Sequence, residues 1–171
     1  MIKDEKMKQV WEAIIETNKK YLQTHDGFTP VCFLITPNYH IETMMMVFNN
    51  NQAKEIMKQK IKKVILSKRL RGYILCMDTK ITEVNMTTGN MEQVSDALIH
   101  NLFTPKESIV HVIVYDPTTK EITKEYEENQ KIVSDWNVWD YEKRTKEQEK
   151  IVQDYFDFKE KNPDKYKGVL D

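Results

Sequence analysis

The stretch from Thr29 to Arg71 restricts the fold of this chain more than any other. It reads TPVCFLITPNYHIETMMMVFNNNQAKEIMKQKIKKVILSKRLR. The run from Val31 to Thr36 carries apolar side chains on both faces, the pattern of a central strand covered from two sides. Pro37 and Asn38 follow at the two middle positions of a tight turn, where proline pre-sets φ. Tyr39 to Phe48 then alternates as a second strand, with Tyr39, Ile41, Met45 and Val47 on one face. His40, Glu42, Met44, Met46 and Phe48 take the other face, which begins polar and becomes apolar. Asn49 to Asn51 offer an N-cap for a helix over residues 52–70. Ala53, Ile56, Met57, Ile61, Val64, Ile65 and Leu70 form its inward stripe, and Gly72 ends it. Lys54, Lys58, Lys62, Lys63, Lys68 and Arg69 ring the remainder.

Upstream, Met7, Val10, Trp11, Ile14, Ile15, Tyr21 and Leu22 recur at helical spacing, predicting a helix over residues 3–24 that stops before Gly27. Downstream, Tyr73 to Asp78 is another strand apolar on both faces, and residues 79–86 either extend the sheet or form an irregular edge. Met91, Val94, Leu98 and Leu102 have partial helical spacing, which predicts a helix over residues 91–103. Ser108 to Tyr115 is the most strand-like run, Asp116 to Thr119 a hairpin turn, and Lys120 to Tyr126 a half-exposed edge strand. A charged helix is expected over about residues 142–160.

This order implies an α+β fold: a mainly antiparallel sheet of about five strands with helices on its faces, flanked by N- and C-terminal helices. A parallel arrangement of the strands at 31–36, 73–78 and 109–115 is the alternative. The expected organisation is a core domain over residues 1–127, followed by an aromatic linker and charged helix over residues 128–171. The element order, with the FLITPNYHIE and ESIVHVIVYDPTTKEI hairpins, resembles small prokaryotic and phage domains of hairpin–helix–strand–hairpin order. That resemblance implies the arrangement alone and carries over no activity and no functional residue.

For 171 residues, 40% apolar and 31% charged is an ordinary globular balance, so neither a disulfide nor a metal is needed for a core. The four glycines stand apart, so no dinucleotide or phosphate loop can be drawn and no cofactor is expected. There is no CxxC pair. Cys32 and Cys76 sit in apolar runs and read as buried thiols, with a disulfide between neighbouring strands as the alternative. MIKDEKMKQV is too charged for a signal segment and no apolar run approaches the ~20 residues of a membrane span, so a cytoplasmic protein is expected.

His40 and Glu42 share a strand face and His111 lies in another strand. These three, with Asp78, would make a dispersed enzyme or metal site only if the fold gathered them; no metal is expected. The net charge of −1 gives no global pull toward nucleic acid, but residues 54–71 hold eight bases and one acid. Lys58, Lys62, Lys63 and Arg69 are therefore candidates for a phosphate-binding face on the helix over residues 52–70. Trp136, Trp139 and Tyr141 in a charged segment are candidates for a contact with a protein partner. The expected function is a non-enzymatic protein-interaction module or homo-oligomer subunit, with nucleic-acid association by the basic helix as the alternative.

Overall fold

The computed structural model describes residues 2–46 and 49–129. Its elements run α1 (Glu5–Thr24), β1 (Val31–Ile35), β2 (Ile41–Met45), α2 (Asn51–Lys68), β3 (Gly72–Val84), β4 (Met91–Phe103), β5 (Ser108–Tyr115) and β6 (Ile122–Asn129). The six strands form one sheet in the order β2-β1-β3-β4-β5-β6, every neighbouring pair antiparallel. The α+β class and the antiparallel sheet are as expected, but with six strands rather than about five, and the parallel alternative is overturned.

The sixth strand comes from residues 91–103, which are β4 and not a helix. Leu98, His100 and Leu102 point to one face at two-residue spacing, and strands on both sides satisfy the backbone, overriding the weak helical periodicity. Residues 79–84 extend the sheet as the second half of β3. The expected C-terminal helix lies outside the described residues, as do Val47, Phe48 and the side chain of Ile65.

The helices lie on opposite faces. On one, Met7, Trp11, Ile14, Ile15 and Leu22 of α1 pack on Ile35, Ile74, Leu98, Leu102, Ile109 and Ile113. On the other, Ile61 and Val64 of α2, with Leu70, pack on Cys32, Leu34, Met44, Met46, Tyr73, Leu75 and Phe103. Each large aliphatic side chain so buried contributes about 1.5–3 kcal/mol. This is why β1 and the start of β3 are apolar on both faces. It also settles the cysteines: Cys32 belongs to the α2 core and Cys76 to the α1 core, both free, so the sheet itself separates the two thiols. Two members of the expected stripes face outward, Tyr21 and Ile56, and two polar residues are buried, Asn18 of α1 and Lys58 of α2.

Local chemistry fixes the ends. Asp4 caps α1 by accepting from the amides of Lys6 and Met7, and Asn50 caps α2 through Ala53. Thr36 accepts from the Tyr39 amide at 2.9 Å, closing the turn predicted at Pro37-Asn38. Arg69, not Gly72, takes the left-handed position after α2, at φ 50°. Gly72 instead opens β3 where a Cβ would stand 2.7 Å from the Phe103 carbonyl oxygen. No helix among the described residues is long and apolar enough to cross a membrane.

Candidate functional site

The fold does not gather the dispersed set. His40 precedes β2 at one edge of the sheet, and Glu42 within β2 accepts from Lys68 Nζ of α2 at 2.9 Å. His111 is on β5, with β1, β3 and β4 between, about 19 Å away at ordinary strand spacing. Glu42 pairs with Leu34 on the α2 face, whereas His111 faces α1 with Trp11. Among the described residues, no group of three or more His, Cys, Asp or Glu side chains is placed to hold a metal ion.

The candidate basic face is split. Lys58 is 7% exposed and Lys62 half-buried, while Lys63 and Arg69 are open to solvent. Trp136, Trp139 and Tyr141 lie outside the described residues.

The structure gathers a different set. Cys76, His100, His111 and Glu127 stand directly opposite one another on β3, β4, β5 and β6, forming one polar rung across the sheet. α1 lies over it. Trp11 Nε1 donates to Glu127 Oε2 at 2.8 Å, and the indole meets both imidazoles edge-on at 6.2 Å. Asn18 Nδ2 lies 3.0 Å from His100 Nε2 and 3.5 Å from Cys76 Sγ. Two residues back along β6, Glu125 Oε1 accepts from Lys19 at 2.6 Å and meets His111 Nε2 at 2.8 Å. Nδ1 of both histidines is buried without a hydrogen-bond partner among the described residues.

Burial suppresses charge at two members of this rung. Burial, reinforced by the neighbouring His111, pushes the His100 pKa down to about 3, so its ring is neutral. Burial drives the Cys76 thiol well above its usual range, which removes the thiolate a nucleophile needs. Burial is the largest single influence on Lys19 and Glu125 and opposes their charges, but their hydrogen bond and attraction, with those of Glu16 to Lys19 and His111 to Glu125, together outweigh it, raising the Lys19 pKa and lowering that of Glu125. The rung ties α1 to β6. His100 had a signal in the sequence: it lies four residues before Thr104 and His111 four after Glu107, so a hairpin through that turn must pair them.

The exposed feature is the far half of β3 and β4. β1 ends opposite Cys76 and β5 ends opposite Asp96, so residues 77–84 pair only with β4, and residues 81–84 and 91–95 pair only with one another. They form a two-stranded arm with free backbone edges on both sides. A bulge at Ile81/Thr82 leaves Val94 unpaired. The tip is turned by Asn85, whose side chain accepts from the amides of Thr87 and Thr88, and by Gly89 at φ 73°. Val84, Met86, Met91 and Val94 are all exposed, Met86 at 92%. Glu83 and Glu92 stand directly opposite each other. Comparison with protein-family models, with curated proteins and with solved structures finds no match to this chain.

Proposed function

We propose that the protein is a non-enzymatic interaction module that self-associates through the β3–β4 arm. The arm itself carries the reading. A two-stranded ribbon is marginal in water on its own, and this one exposes free edges and apolar side chains, so a partner resting on it supplies the support it lacks. The chain also bears its own counterpart in charge. Residues 78–96 hold four acids and one base, against eight bases and one acid over residues 54–71.

Light scattering on the full chain tests this. A variant with residues 81–95 replaced by Asn-Gly closes Lys80 onto Asp96, its existing cross-strand partner. The parent chain is expected at twice the monomer mass and the armless chain at the monomer mass, with a cooperative unfolding transition retained. A parent chain that stays monomeric overturns the reading. For the other reading of α2, as a phosphate-binding face, the exposed Lys63 and Arg69 would carry the contact, and binding to DNA or RNA at low salt is its test.

A further inference from the structure

Resting on that self-association, we infer that the arm docks on α2 of a second copy, with Lys60 and Lys63 of α2 seated on the Glu83–Glu92 pair. The first observation is a local conflict. Like charges directly opposite on a ribbon are destabilising, yet Glu83 and Glu92 are so placed. Asn85 Nδ2 reaches Glu92 at 3.3 Å, and among the described residues Glu83 has no ion-pair partner. Side chains alternate along β3, so Glu83 lies on the same face as Tyr73, Leu75 and the half-buried Ile81, the face that α2 covers nearer the body. No described helix belongs to that face over the arm: the α2 core reaches along β3 only as far as Met77.

The second observation is on α2. Its outer stripe runs Gln52, Ile56, Gln59, Lys60 and Lys63, at three- and four-residue steps. Ile56 is 64% exposed there, an apolar side chain where the helix needs none for its own core. Neither Lys60 nor Lys63 has an ion-pair partner among the described residues. The two surfaces correspond: an isoleucine beside two lysines on α2, and an isoleucine beside two glutamates on the arm. A twofold axis lets each arm reach the other copy's α2, giving two identical contacts and a closed dimer. The partner's helix then continues the helical layer outward over the arm.

Charge exchange in the full chain tests the pairing by light scattering. The double variant Glu83→Lys/Glu92→Lys and the double variant Lys60→Glu/Lys63→Glu are each expected to dimerise at least ~tenfold more weakly than the parent. Mixed in equal amounts, the two variants are expected to recover the dimer mass, because both contacts of the twofold are again oppositely charged. A charge-reversed protein that keeps the parent affinity, or a mixture that stays monomeric, overturns this inference. If the parent dimerises and the armless chain does not, that failure leaves the self-association standing; a monomeric parent overturns both.

Discussion

His100 shows at the residue scale how burial sets behaviour. It is 0% exposed, in contact with Asn18, Trp11 and His111, and its pKa of about 3 lies far below the 6.5 of a free imidazole. As pH falls, the unfolded chain takes up this proton first, because the native ring resists charging. Stability is therefore flat with respect to His100 above about pH 6.5 and falls progressively from there toward about 3. At about 1.4 kcal/mol per pH unit, the loss from this group is about 2 kcal/mol by pH 5. Urea denaturation at pH 7 and pH 5 measures it, and His100→Leu should flatten the dependence. Equal midpoints at the two pH values would contradict the buried neutral ring. Gly72 is the second such position. Replacing it with alanine drives a Cβ to 2.7 Å from the Phe103 carbonyl, which belongs to backbone and cannot swing away. A loss of about 1–3 kcal/mol is expected in the same assay. Trp11 was legible as a core residue from helical spacing alone. The inward turn of Asn18 was not, since a polar residue turns inward only when partners distant in sequence, here Cys76 and His100, receive it.

Among the elements, α1 depends on a residue that does two jobs. Asp4 Oδ1 accepts from two amides at the helix start, while Oδ2 accepts from the Tyr39 hydroxyl at 2.6 Å, joining the cap to the β1–β2 turn. Those hydrogen bonds, led by Tyr39, hold the Asp4 pKa below the usual carboxylate range. Asp4→Ala should cost about 1–2 kcal/mol, the range of a lost N-cap, and Asp4→Asn, which keeps the capping oxygen, should cost less. Equal losses in thermal unfolding would show that the carboxylate charge matters more than the cap. The helices, the Pro37-Asn38 turn and β5 could be read from sequence because their signals are local. β4 could not. Its Met91, Val94, Leu98 and Leu102 suit a helix, and what makes it a strand is pairing with β3 and β5, which no window along the chain contains. The arm was hidden for the same reason: an exposed edge is defined by where β1 and β5 stop.

For the whole molecule, the acidic arm and the basic α2 form, in the proposed dimer, a match between copies. Exposed charge pairs weaken as salt shortens the Debye length. The dimer dissociation constant, followed by analytical ultracentrifugation, should therefore rise between about 0.05 and 0.5 M salt. An unchanged constant would place the interface elsewhere.

The strand order also governs how the chain reaches this state. Neighbours in the sheet are neighbours in sequence everywhere except at β1–β3, where β2 and α2 intervene. β3 to β6 is thus a continuous meander of hairpins whose pairings need only short loop closures. Trp11, by contrast, must find a glutamate 116 residues away, on the last strand of the sheet. α1 therefore cannot complete its contacts until β6 is in place, because the acceptor for Trp11 and the Ile122 side chain packed against the α1 core both belong to that strand.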